Sequence, residues 1–190
     1  MTAATTAKVR GRNLIPSRAF IKERYGDDGW KRFLAAVNPR HRPIWDGPIA
    51  EWTWYDRAID NDGTATLKKV FGGDDPDVIR RLAMRAARHH DRLYLRPILM
   101  LGGPHLLFRR AAALYEEYYQ GGTLTLVDEG DRWARVVLDD DTAPATFCEE
   151  SLPGFMEEII RLSGRWPVVA RQETCKRRGG ARCALYAAWR

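Results

Sequence analysis

The segment that most constrains the fold runs from Phe147 to Arg190 and holds all three cysteines, Cys148, Cys175 and Cys183. Glu173 to Trp189 reads as a strand, a turn at Gly179-Gly180 and a second strand. Side chains alternate between the two faces of a strand, and positions equally far from the turn oppose each other. Cys175 and Cys183 therefore face one another about Gly179. Glu173, two residues before Cys175, shares its parity and is expected on the same face, whereas Gln172 is not. Three roles stay open for the sulfur atoms. They are buried free thiols acting as small hydrophobes, three ligands of a four-coordinate structural zinc, or a disulfide that leaves an odd cysteine in a chain with no sign of secretion. The seven-residue spacing exceeds that of the usual zinc knuckle and does not decide among them.

Upstream, the hydrophobic period changes in blocks. Residues 1–10 are expected to form a flexible tail, since Met1 to Lys8 lack the apolar stretch of a signal peptide. Ser17 to Gly26 and Asp28 to Val37 predict two short helices, the second carrying Trp30, Phe33, Leu34 and Val37 at helical spacing. Pro43 to Tyr55, with Trp45, Trp52, Trp54 and Tyr55, is too aromatic for a linker and should pack against something. A helix ending at Phe71 is stopped by Gly72-Gly73, with Asp62-Gly63 breaking the pattern before it. Asp75-Pro76 opens an amphipathic helix. Ile79, Leu82, Ala83, Ala86 and His90 line one of its faces and Arg80, Arg81, Arg85 and Arg88 the other. Neighbouring residues on a helix diverge by about 100°, so His89 and His90 do not readily share one metal ion. The apolar run Leu93 to Leu101 is weakened as a helix by Pro97, and a further helix is expected from Pro104 to Gln120.

From residue 122 the period becomes two. Thr123 to Asp128 and Arg132 to Leu138 predict a hairpin, Asp139 to Asp141 a solvated loop, Leu152 to Ser163 a helix, and the cysteine-bearing strands close the chain. The fold class is therefore α+β, with an N-terminal helical half (11–121) followed by a ββαββ antiparallel-sheet half (122–190) in one ligand-binding-type domain over 11–190.

The net charge of +6 raises the question of nucleic-acid binding. The arginines are scattered among acids rather than gathered in a stripe, and no nucleic-acid-binding motif is present, which argues against it. No apolar run approaches the ~20 residues of a membrane span, and the chain is expected to be cytoplasmic. No nucleophile elbow, phosphate-cradling loop, zinc-protease helix or dinucleotide fingerprint occurs, so the weight falls on binding rather than catalysis. Trp54, Tyr55, Phe108, Tyr115, Tyr118 and Tyr119 are the candidate lining of a pocket for a small hydrophobic or aromatic ligand. The plainer alternative is that these rings cover the rim of the core.

Several of these features together resemble a known family. A cysteine before a Gly-containing helix (Pro153-Gly154-Phe155), a strand ending in Glu-x-Cys-x7-Cys and a closing aromatic resemble the vinyl-4-reductase domain. They also resemble a myxobacterial paralogous family of unknown function. Trp54-Tyr55, Gly72-Gly73-Asp74 and Tyr118-Tyr119-x-Gly121 fall in the expected order. Both families are similar in fold to haem nitric-oxide-binding domains and to the Bet-type TRAPP subunits. The resemblance implies a ligand-sensing domain, or alternatively a dimeric scaffold for a second copy or a partner protein; an enzyme on a small hydrophobic substrate is a third reading. It also implies zinc on Cys148, Cys175, Cys183 and an acid near Cys175. The family's acid falls where this chain has Gln172, so Glu173 serves only if parity alone sets its direction. The haem relatives carry a Tyr-x-Ser-x-Arg clamp that no tyrosine here begins, and on that ground haem is disfavoured.

Overall fold

The computed structural model describes residues 7–90 and 95–190. The expectations for residues 1–6, and for 91–94 where the Leu93 to Leu101 run begins, lie outside the described residues.

The chain begins in a strand, β1 (Lys8–Arg10), which is the centre of a three-stranded antiparallel sheet between β2 (Trp54–Asp56) and β3 (Tyr119–Gln120). Val9 opposes Tyr55 on one side and Tyr119 on the other and is fully buried. The flexible tail therefore does not extend to residue 10. A single apolar residue between Lys8 and Arg10 leaves no period to read, and the strand exists because two distant edges come to meet it.

The two short helices expected over 17–37 are one element, α1 (Gly11–Ala36), kinked where Gly26 adopts a positive φ of 65°. It is followed by α2 (Arg42–Asp46), which buries Trp45 edge-on to Phe33, while Trp52 stays exposed. The next helix, α3 (Arg57–Phe71), runs straight through Asp62-Gly63. Gly63 is a packing residue, because a Cβ there would stand 2.2 Å from the Trp45 indole. Asp56 caps this helix, accepting from the Ala58 amide at 2.8 Å.

Helix α4 (Val78–His90) follows the amphipathic pattern of its sequence, with Ile79, Leu82, Ala83 and His90 buried. Where one helix was expected over 104–120 there are two. The helix α5 (Arg96–Arg109) is kinked at Gly103, and α6 (Ala111–Tyr118) restarts after Arg110.

The C-terminal half has the expected ββαββ order. Strands β4 (Thr123–Gly130), β5 (Trp133–Asp139), β6 (Val168–Thr174) and β7 (Cys183–Trp189) make an antiparallel sheet in the order β4-β5-β7-β6. The helix α7 (Leu152–Leu162), entered through a wide π-helical turn at Phe147–Ser151, buries Met156 and Ile160 in a core shared with Val136, Leu138 and Leu185 of the sheet. A second core lies among α1, α2, α3 and the start of α4, around Phe33, Trp45, Leu67 and Phe71.

Helices α4 and α7 join the two halves. Gly154 allows the contact, since a Cβ at that position would sit 2.8 Å from the Arg80 carbonyl. Arg80 to Glu157 and Arg88 to Glu158, both 2.6 Å, tie the pair at its edges. No helix among the described residues is long and apolar enough to cross a membrane.

Candidate functional site

A cavity opens where the two halves meet, among α1, α3, α4, α6, the π-helical turn and α7. It is a narrow slot with a volume of about 130 Å³. The walls are mostly apolar. Leu82, Ala83 and Ala86 come from α4, Leu107, Phe108 and Ala111 from α5 and α6, and Phe155, Met156 and Ile159 from α7. The alanines of α4 matter here, because a short side chain leaves space where a leucine would fill it.

Asn13, Ser17, Thr64 and Ser151 add polar side chains to this lining, and an imidazole and a carboxylate interrupt it. The first is His90, at the last turn of α4. Its imidazole is 1% exposed and tilts against the Tyr118 ring at 4.7 Å, yet neither ring nitrogen has a hydrogen-bond partner among the described residues. Burial, reinforced by neighbouring His89 and Arg12, pushes its pKa down to about 3, so the ring is neutral near pH 7. The other three histidines lie elsewhere. His41 pairs with Asp62 at 2.9 Å. His105 bonds Glu129 and the Asp131 carbonyl at the far side of α5. His89 is adjacent to His90 but does not line the cavity.

The second is Asp60, one turn into α3, with Thr64 one turn further along the same face. Burial raises the Asp60 pKa and Arg57 works against that rise. Arg57 stands 4.0 Å from Asp60 and 3.3 Å from Asp140, with its guanidinium over the Tyr119 ring at 3.8 Å. Asp140 is otherwise well served. It accepts from the Tyr115 hydroxyl at 2.5 Å and from the Thr142 hydroxyl and amide. None of the three Arg57 nitrogens has a hydrogen-bond partner among the described residues. The guanidinium is thus held by charge and by the aromatic face below it.

Of the residues singled out in the sequence as pocket lining, Phe108, Tyr115, Tyr118 and Tyr119 line this cavity. Trp54 and Tyr55 do not. They belong to β2, where Trp54 stacks under Arg10 at 4.0 Å and the Tyr55 hydroxyl accepts from the Ala50 amide. No spacing or motif in the sequence marks Asp60 as a site residue. His90 lies on the buried face of α4 as its spacing predicts, and the cavity beside it cannot be read from that spacing.

The cysteines also come together. Cys175 and Cys183 stand 3.9 Å apart at sulfur, and with Cys148 all three sulfurs lie within 4.8 Å of one another. They are free thiols buried in the C-terminal core. Burial first, then the neighbouring Cys183 and Cys175, raises the Cys148 pKa and keeps that thiol neutral.

Glu173 does not join them. The β6–β7 register shifts between Gln172 and Thr174, and this bulge cancels the parity that would have aimed Glu173 at the sulfurs. Its carboxylate instead receives Arg135 Nε at 2.6 Å on the exposed side of the sheet. The four-ligand set for a structural zinc is therefore incomplete, and the expectation of zinc is corrected.

No known family's sequence profile matches the chain, and no curated protein matches it. Solved structures do. An H-NOX protein from S. oneidensis in the Fe(II)NO ligation state superposes with a TM-score of 0.72 at 11% identity, covering 95% of this chain and 99% of that one. The fold is that of the H-NOX domains. The Fe(II) unliganded H-NOX protein from K. algicida aligns at TM-score 0.68 and 9% identity over 95% and 96% of the two chains. A structure concerned with modulating haem redox potential through porphyrin distortion aligns at TM-score 0.64 and 11% identity over 94% and 99%.

These likenesses overturn the setting-aside of haem. That expectation rested on a missing three-residue clamp, and at such low identity a local motif can be lost while the fold that surrounds the ligand persists. On the side of this chain, a buried, neutral imidazole with both nitrogens unpartnered is the donor type that haem iron takes. The residues of the cavity fit the group in that respect.

Proposed function

We propose that this chain is a cytoplasmic sensory domain that holds a small ligand in the slot between its helical half and its sheet half. The observation that carries the reading is the cavity itself, mostly apolar along its walls and holding Asp60 and His90 without hydrogen-bond partners among the described residues. Buried polar groups are normally satisfied, and a ligand is what satisfies these. The resemblance of the C-terminal block to the vinyl-4-reductase domain supports the same reading. Filling the slot would press on Phe155, Met156 and Ile159 of α7, which is tied to α4 by Arg80 and Arg88. Occupancy would then be reported as a change in how α7 sits on the sheet.

Two occupants are each supported by a specific observation. Haem is supported by the fold likeness and by His90, whose ring nitrogen would hold the iron. When bound, haem would supply an iron able to take a small diatomic gas. The role of the protein would be to exclude water along the apolar walls and keep the imidazole neutral. A compact single-ring ligand is supported by the 130 Å³ of open space, which lies below the ~300–1,000 Å³ typical of drug-sized ligand sites, and by Asp60.

The test is direct. The protein is purified from cells supplied with a haem precursor, and its absorption spectrum is recorded. A haem occupant gives an intense Soret band that co-purifies stoichiometrically. A colourless protein that leaves the spectrum of added haemin unchanged removes haem and leaves the single-ring ligand. If single-ring compounds also fail to raise the melting temperature, the sensory reading falls.

A further inference from the structure

We infer that Asp60 sets the ligand class of this cavity, selecting a single-ring apolar body that carries a protonated amine. The inference rests on the cavity being the ligand site and on its compact occupant, and names the head group that occupant must have.

Asp60 accepts no hydrogen bond among the described residues, since its nearest cation, Arg57 Nε, is 4.0 Å away. Its side chain keeps 14% of its surface although protein encloses it, because that surface looks into the slot. A carboxylate so placed has acceptor capacity for a group that enters the slot, and a ligand donor is the partner it lacks.

Charge points the same way. Arg57 lies between two carboxylates, Asp60 and Asp140, so one positive charge faces two negative ones. The other buried guanidinium nearby, Arg12, has Glu117 at 4.0 Å, and His90 is neutral near pH 7. Among the described residues the polar end therefore sets two carboxylates against one guanidinium, an excess of one acidic group. An ammonium group neutralises it, a hydroxyl offers a hydrogen bond without doing so, and a carboxylate is repelled.

The remaining geometry selects the body. Beyond Asp60 and Thr64 the walls are Leu82, Ala83, Phe147 and Leu152, with Tyr115 and Tyr119 as aromatic faces. A flat ring lies between such walls with its apolar area removed from water.

The probes are toluene, benzyl alcohol, benzylamine and benzoate, matched in ring and differing in head. Binding to the intact chain is measured by calorimetry, with melting temperature as a second readout. Benzylamine is expected to bind at least about tenfold more tightly than toluene, the equivalent of one charge-assisted hydrogen bond, with benzyl alcohol between them and benzoate weakest. Asp60→Asn is expected to bring benzylamine down to the level of toluene while leaving toluene unchanged. Equal affinities for toluene and benzylamine, or an amine preference that survives Asp60→Asn, overturn the inference and leave the cavity as a ligand site. Failure of all four compounds to bind overturns the inference, and together with a failed haem test it overturns the cavity reading as well. The wild-type series needs no variant, so it decides the question even if Asp60→Asn does not fold.

Discussion

Acid should destabilise this protein in part through His90, alongside carboxylates such as Asp140 whose pKa values are held down by their partners. Its pKa in the folded chain is held down to about 3, against roughly 6.5 in an unfolded chain. The folded state therefore binds fewer protons than the unfolded state between those values. A buried neutral histidine contributes fully above the unfolded pKa, and its contribution is lost as pH falls from about 6.5 toward 3. Linkage over that interval gives a loss of about 2 kcal/mol between pH 7 and pH 5, and about 4 to 5 kcal/mol by pH 3. The assay is urea unfolding at constant ionic strength from pH 7.5 to pH 4.5, comparing wild type with His90→Gln, which keeps a polar side chain but does not titrate. Asp60 carries a raised pKa and contributes with the opposite sign, losing stability as pH rises through its folded value. It is present in both proteins, so the difference between them isolates the histidine. Parallel pH profiles for wild type and His90→Gln would show that the imidazole is hydrated or paired in solution, and would refute the description of it as an orphan in the slot.

Other substitutions probe the frame of the site. Gly63→Ala forces a methyl to within 2.2 Å of the Trp45 indole, and overpacking of this kind should cost about 1–3 kcal/mol, measured by urea unfolding. Arg57→Leu leaves Asp60 and Asp140 without their shared cation. Breaking a buried pair in this way should lower stability by about 3–5 kcal/mol, with Arg57→Lys recovering part of the loss. Cys183→Ser places a hydroxyl among buried thiols and apolar side chains and should cost about 1–3 kcal/mol. A strong chelator, by contrast, should leave the melting temperature of the wild type unchanged; a clear drop would put a structural metal on the three sulfurs.

The parts of the fold that were legible in the sequence are those governed by local period. The amphipathic stripe of α4, the β4–β5 hairpin, the apolar face of α7 and the opposition of Cys175 and Cys183 all follow from spacing. What could not be read depends on contacts between distant segments. Strand β1 exists because Trp54 to Asp56 and Tyr119-Gln120 flank it. Gly63 lies inside a helix because an indole from α2 occupies the space of its side chain. Glu173 left the cysteines because of one bulge, and a single-residue shift reverses the side to which a strand residue points. The candidate site was half legible. Its aromatic wall follows from the tyrosines at the end of α6, but the two polar groups that give it chemistry do not. An aspartate inside a helix and a histidine on a buried face are ordinary until three other helices close around them.

The most direct measurement is amide hydrogen exchange on the intact chain with and without a saturating occupant, either haemin or benzylamine. Protection should increase along α4, through α6 and in the first turns of α7, the segments that wall the slot, with the outer strand β6 little changed. Exchange that is the same in both conditions, or protection confined to surface segments away from those helices, would contradict a ligand site between the two halves of the fold.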